Sequence, residues 1–172
     1  MIDYGHGVTL STIDSCDLDV LRAWRNDPGI YKWCRQENLI NDVDQLAWFG
    51  SLKNNPRVRM YSIIGGDHFV GVCGLTDIEP INRNAEFSLY ISPDSQKEGF
   101  GVMALKTLLD LGFKWFNLNM IWGETFEGNH ALKIFTSLGF KQDGIRRQFY
   151  YKNGKYLDCH LVSILKEEWC IG

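Results

Sequence analysis

Gln96-Lys97-Glu98-Gly99-Phe100-Gly101 lies between the apolar run Phe87–Ile91 and the long apolar segment Phe100–Phe116. Two glycines let the chain turn tightly with no Cβ in the way. A helix starting at once adds its unpaired amides and the positive end of its dipole. Strand, glycine turn and helix start together predict a row of backbone N–H groups aimed at one spot, suited to a phosphate or pyrophosphate.

Outward from this turn, Asn84–Ile91 reads as a strand ended by Ser92-Pro93-Asp94, and Phe100–Phe116 as a helix followed by strand Met120–Thr125. That β-α-β step predicts the two strands side by side and parallel. Upstream, Arg59–Ile64 and Phe69–Thr76 flank Gly65-Gly66-Asp67-His68, a hairpin signal. Before them come strand Val8–Ile13 and a helix capped by Asp14 or Ser15, with Leu18, Leu21 and Trp24 at helical spacing. Asn26-Asp27-Pro28-Gly29 breaks that helix, and a second runs from Asp42 through Leu46, Phe49 and Leu52. Downstream, helix His130–Leu138 is stopped by Gly139. Strands Phe140–Tyr151 and Lys155–Leu165 close on Asn153-Gly154, a strong two-residue hairpin pair. No linker or repeat divides the chain, which predicts a single α+β domain over residues 1–172.

The net charge of −3 and pI near 5.8 argue against nucleic acid as the main partner, which needs a basic face. Five scattered cysteines (Cys16, Cys34, Cys73, Cys159, Cys170) show no metal-ligand spacing, so reduced, mostly buried thiols and no metal are expected. Met1–Thr12 lacks a basic start before an apolar core, and Lys106, Asp110 and Lys114 interrupt the most apolar helix. A cytoplasmic protein without a membrane span follows as the expectation.

The order of elements and two motifs resemble the GNAT acetyltransferases across nearly the whole chain. Gln96–Gly101 is similar to the family's Arg/Gln-x-x-Gly-x-Gly/Ala turn, and Asn129 to Phe140, with Phe135 and Leu138-Gly139-Phe140, is similar to its second motif. The resemblance implies a mixed, mostly antiparallel sheet of about six or seven strands, flanked by about four helices and splayed at a cofactor gap. It implies acetyl-CoA as donor, with the pyrophosphate on the amides of Gln96, Lys97, Glu98, Gly99, Phe100, Gly101 and Val102. The pantetheine arm would hydrogen-bond the backbone of Leu89, Tyr90 and Ile91 like an added strand. Asn129 stands one residue out of the family's register, so it is either a pantetheine ligand or a helix cap. The family's proton-donating Tyr is replaced by Phe135, which keeps only a packing role against the cofactor arm. The leaving thiolate then departs unassisted, is protonated by water, or is served by Tyr90 or His130.

Transfer to an amine needs the unprotonated nucleophile, hence a base. Glu124, in Trp122-Gly123-Glu124-Thr125, is favoured as base or positioning group, with Glu86 second. Leu21-Arg22-Ala23-Trp24-Arg25-Asn26-Asp27-Pro28 and the closing Asn153–Asp158 segment resemble the branch acting on UDP-linked 4-amino-6-deoxy sugars of pseudaminic acid synthesis. The ribosomal-protein N-terminal acetyltransferases share this layout. Trp24 and Arg25 are the substrate candidates, and Arg22, Arg25 and Arg35 are candidates for a diphosphate; the alternative reading makes Trp24 core on an amphipathic helix and the arginines surface charges. A small-molecule amine, possibly a UDP-amino sugar, is the expected partner, and a monomer or homodimer the expected assembly. Acetylation of a protein N-terminus and a silent acetyl-CoA binder are the alternatives.

Overall fold

Side chains alternate along the strand Asn84–Ile91, and this alternation sets the layers of the molecule. Phe87, Leu89 and Ile91 enter the larger core, whereas Tyr90 packs against a smaller cluster on the opposite sheet face. The computed structural model describes residues 1–171, and the side chains of residues 1–169. Seven strands form one sheet: β1 Thr9–Ser11, β2 Arg59–Gly65, β3 His68–Glu79, β4 Asn84–Ile91, β5 Met120–Phe126, β6 Lys141–Lys152 and β7 Lys155–Leu165. Their order is β1-β2-β3-β4-β5-β7-β6, antiparallel except for the β4–β5 pair.

Six α-helices flank it: α1 Leu18–Asn26, α2 Pro28–Tyr31, α3 Asp42–Leu52, α4 Phe100–Asp110, α5 Ala131–Ser137 and α6 Lys166–Ile171. α4 buries Ala104, Leu105, Leu108 and Leu109 against Leu10, Ile63, Leu75, Ala85 and Ile121 of the sheet. Each leucine or isoleucine among them contributes about 1.5–3 kcal/mol by leaving water. α1 and α3 cover the other face through Leu18, Leu21, Trp24, Trp48 and Phe49.

Several boundaries differ from the sequence reading. The apolar segment Phe100–Phe116 leaves α geometry after Asp110 and continues as a π-helical turn, Leu111–Trp115. At this turn a Cβ on Gly112 would stand 2.6 Å from Ile121 Cδ1, so a larger residue here would have to push the end of the Ile121 side chain aside. The break read at Asn26–Gly29 does end α1, where Asp27 turns extended, but Pro28 then opens a further short helix, α2, with the Asp27 side chain accepting from Gly29 N at 2.8 Å. α3 starts at Asp42, as read, and is capped by Asn41 with Asp44 rather than by a box of Asp42 with Gln45. Asn153 and Gly154 both have positive φ (49° and 80°), the twist a two-residue hairpin requires. Of the cysteines, Cys73 and Cys159 are buried, Cys16 is exposed and Cys34 is partly covered, so the expectation of mostly buried thiols holds for half of these four; the Cys170 side chain lies outside the described residues.

No helix among the described residues is long and apolar enough to cross a membrane. Among those residues, no group of three or more His, Cys, Asp or Glu is placed to hold a metal ion.

Candidate active site

β4 and β5 pair only at Asn84–Met120, Ala85–Ile121 and Glu86–Trp122. Beyond Glu86 they separate, leaving one edge of Phe87–Ile91 without a neighbouring strand while its other edge stays bonded to β3. On the core side of this splay the Phe87 ring lies against Gly123, where a Cβ would meet it at 2.4 Å. Phe87 in turn packs on Phe135 and Phe140, with centroids 4.9 and 5.3 Å away.

The Gln96–Gly101 turn caps the same end of β4. Lys97 (φ 70°) and Gly99 (φ 89°) both take left-handed backbone, and Gln96 Nε2 donates to Ile91 O at 3.3 Å. Among the described residues, the amides of 96–101 have no protein acceptor, whereas Val102 N and Met103 N bond back to Gly99 O. Such a run of unpaired N–H groups at a helix start fits a pyrophosphate. A Cβ at Gly101 would meet nothing nearer than Ile91 Cγ1 at 3.6 Å, so the fold itself leaves this position open.

Opposite the core, Glu86 and Glu124 project from the two lips of the splay, their side chains 4% and 5% exposed. Arg35, from the segment between α2 and α3, joins them: Nη2 donates to Glu86 Oε2 at 2.9 Å and Nη1 to Glu124 Oε1 at 3.1 Å. That segment is anchored by Asn26, which bonds Ile40 O and Ile40 N (both 2.8 Å), and by Lys152 Nζ on Gln36 O at 2.7 Å.

The two carboxylates differ in how far they are satisfied. Glu124 is saturated: Oε1 also takes the Tyr150 hydroxyl at 2.5 Å, while Oε2 takes Arg146 Nη1 at 3.2 Å and Cys159 Sγ at 3.3 Å. Burial and the bond to Glu124 push Tyr150 up to about 12, so its hydroxyl stays protonated and donating. Glu86 Oε2 carries both of its contacts, Arg35 and Thr76 Oγ1 (3.4 Å), and its Oε1 has no donor among the described residues. Burial raises the Glu86 carboxyl above its usual range, only partly opposed by Arg35.

The sequence reading thus placed both carboxylates at one site and offered Arg35 for a diphosphate, whereas its guanidinium is taken by Glu86 and Glu124; it missed Arg146 and Tyr150. Arg146 and Tyr150 reach Glu124 because β6 bulges between them: four residues along β6 match two along β7, and Gln148 turns left-handed with its N–H on Asp158 Oδ1 at 2.7 Å. No motif marks that bulge.

Other candidates fall elsewhere. Trp24 packs on Phe69, with centroids 4.8 Å apart, in the core under α1, which is the alternative weighed for it. Asn129 Oδ1 accepts from Ala131 N at 3.0 Å, the local cap expected as its second possibility. Phe135 is buried between Phe87 and Phe140. The Tyr90 side chain faces away from the cradle, into a cavity of about 500 Å³ that Arg25, Trp48, Met60, Thr76 and Ser88 also line. His130 is exposed at the start of α5.

Comparison with known proteins matches this architecture. Residues 8–141 fit the family described as Acetyltransferase (GNAT) domain. The chain is 28% identical to the uncharacterized N-acetyltransferase p20 of Bacillus licheniformis, covering 96% of this chain and 97% of that protein. It is 24% identical to the spermidine N(1)-acetyltransferase of Escherichia coli K12, covering 95% and 89%. A solved structure of spermidine N-acetyltransferase from Vibrio cholerae, in complex with CoA and spermine, superposes with a TM-score of 0.90 at 23% identity, covering 95% of this chain and 98% of that one. The expected closeness to UDP-amino-sugar enzymes finds no support in these relatives. The splayed parallel pair, the amide-lined turn and the match over residues 8–141 agree: the chain belongs to the GNAT acetyltransferase family.

Proposed function

We propose that this chain moves the acetyl group of acetyl-CoA onto the primary amine of a small molecule at the β4–β5 splay, with Glu86 as proton acceptor and Glu124 as a positioning group. Acetyl-CoA is the donor that GNAT acetyltransferases use, and transfer to an amine is the chemistry the family carries. The observation that supports the assignment of roles is the unequal state of the two buried carboxylates: Glu86 Oε1 is open, Glu124 is held by four donors.

In this reading the pyrophosphate sits on the amides of 96–101, and the thioester lies along the unpaired edge of β4. There a backbone N–H stabilises the developing oxyanion. The amine nitrogen attacks the thioester carbonyl, the C–N bond forms, and the C–S bond breaks. The amine's proton passes to Glu86 Oε1. A thiolate, whose conjugate acid titrates near 8.5, leaves without a dedicated acid and takes its proton from solvent. Phe135 then has no proton to supply, and its ring fills space beneath the splay.

The spermidine enzymes among the relatives support a small-molecule acceptor. An amino sugar is retained only as one member of the small-amine class. For assembly, a relative widens the range beyond the expected monomer or homodimer, since one structure of the V. cholerae enzyme is dodecameric. Light scattering on this chain reads the number directly.

Thiol release from acetyl-CoA with a panel of small amines and N-terminal peptides tests the proposal. Turnover with small amines is expected. Turnover with peptides alone overturns the acceptor class, and tight CoA binding with no turnover on either favours a silent binder.

A further inference from the structure

Three arginines lie near the acceptor side of the splay, and the structure uses them differently. Arg22 is engaged by Asp42 at 2.9 Å and Asp19 at 3.4 Å. Arg35 is engaged by Glu86 and Glu124. Arg25 is not so engaged: its Nε donates to Gln36 Oε1 at 3.1 Å, and among the described residues neither Nη group has a hydrogen-bond or carboxylate partner. Its guanidinium is half-buried, lies over the Tyr90 ring at 5.5 Å and lines the cavity of about 500 Å³. Volumes of this order suit a small molecule with a few convergent polar groups.

The cavity borders the lip that carries Glu86. Thr76, on its wall, donates to Glu86, and Ser88 and Tyr90 follow Glu86 at alternate positions along β4. The charges facing it are Arg25 and, at its rim, Asp44, whose carboxylate takes Asn41 N at 3.5 Å in the cap of α3. Glu86 and Glu124, the other nearby carboxylates, are neutralised by Arg35 and Arg146, and Lys152 adds a further cation on the same side, beside Glu37. A polycation entering here meets the paired carboxylates Glu86 and Glu124, the rim carboxylate of Asp44 with no cation beside it among the described residues, and an open guanidinium on the inner wall. An amine with a negative group meets opposite charge in that guanidinium.

Building on the acetyltransferase reading above, we infer that the natural acceptor carries an oxyanion, a carboxylate or a phosphate, which the open fork of Arg25 holds while the amine reaches Glu86. Planar, bidentate recognition of such groups is what a guanidinium does best. Polyamines are poor acceptors for this chain, unlike the spermidine enzymes it resembles.

Matched acceptors test this: ethanolamine against phosphoethanolamine, putrescine against 4-aminobutyrate, and glucosamine against its 6-phosphate. For each pair kcat/KM is read by thiol release on wild type, Arg25→Gln and Arg25→Lys. Both members of a pair are measured on the same sample, so any unfolded fraction cancels in the ratio. In at least one pair the anionic member is expected to win by at least about tenfold, with that ratio falling about 10- to 100-fold in Arg25→Gln, the range for a charged hydrogen bond, and partly returning in Arg25→Lys. The winning pair distinguishes carboxylate from phosphate. Preference for spermidine and the non-anionic members, or a ratio that Arg25→Gln leaves unmoved, overturns the inference while acetyl transfer stands. Silence with every amine overturns both readings together.

Discussion

Gly101→Asp separates what the fold needs from what the cradle needs. Gly101 is the second residue of α4, and a Cβ built there has no neighbour closer than 3.6 Å. An aspartate in the first turn of a helix is favourable, contributing about 0.3–1 kcal/mol through the dipole, and loses glycine's backbone entropy cost. The ligand-free protein is therefore expected to melt at the wild-type temperature or slightly above it. In the complex the same carboxylate stands among the amides of 96–101 that have no protein acceptor. Two like charges about 4 Å apart cost about 1 kcal/mol in water and about 4 kcal/mol at an effective dielectric of 20. Two pyrophosphate charges at a solvated cradle set a floor of about 2 kcal/mol. That corresponds to roughly 30-fold in Kd. Calorimetric titration with CoA, beside a thermal melt of the free protein, reads both quantities. A Kd within about threefold of wild type refutes the placement of the pyrophosphate, and a large fall in melting temperature refutes the claim that the fold leaves Gly101 open.

Glu86→Gln is expected to lower kcat/KM by about 10²- to 10⁴-fold, the range for loss of a general base, with little change in CoA affinity. Because burial raises the Glu86 carboxyl, wild-type activity falls with decreasing pH through a pKa above the ordinary carboxylate range, and Glu86→Gln removes that acid limb of the pH profile. Glu124→Gln lowers turnover more than cofactor affinity but costs less than Glu86→Gln; the reverse order of the two variants would return the base role to Glu124. Gly123→Ala drives a Cβ into the Phe87 ring, which Phe135 and Phe140 hold in place, so a loss of about 1–3 kcal/mol is expected in denaturant unfolding. Asp110 accepts from His6, Trp169 and Lys114, and despite its burial these donors hold its carboxyl below the usual range. Its contribution is thus full above the unfolded pKa near 3.9 and is lost as pH falls through the lower folded value. The stability gap between wild type and Asp110→Asn should be complete at pH 7 and close below about pH 4.

Local chemistry explains which parts were legible from sequence. The Gln96–Gly101 turn, the Asn153-Gly154 hairpin and the parallel neighbours Asn84–Ile91 and Met120–Thr125 all follow from backbone freedom and the order of elements along the chain. Trp24 shows the limit: an aromatic beside arginines reads equally as core or ligand, and only its contact with Phe69 decides. The ranking of Glu124 over Glu86 rested on proximity in sequence to the second motif. The proposed role of Glu86 rests instead on the number of donors on each oxygen, which no pattern encodes.

By itself the sequence determined the anion cradle, because it is made of consecutive backbone amides and needs only a strand, glycines and a helix start in order; acetyl-CoA as its occupant came from the resemblance of the two motifs to the family. The acceptor side was decided by tertiary structure. Arg35 meets Glu124 across 89 residues of chain, and Arg146 and Tyr150 reach it through a bulge whose position depends on the facing strand. Whether a charged group is paired or open depends on what folds against it. Arg22 and Arg25, three residues apart in one helix, show this: Arg22 is closed by Asp42, whereas among the described residues the Nη groups of Arg25 stay open, the difference on which the proposed anionic acceptor rests.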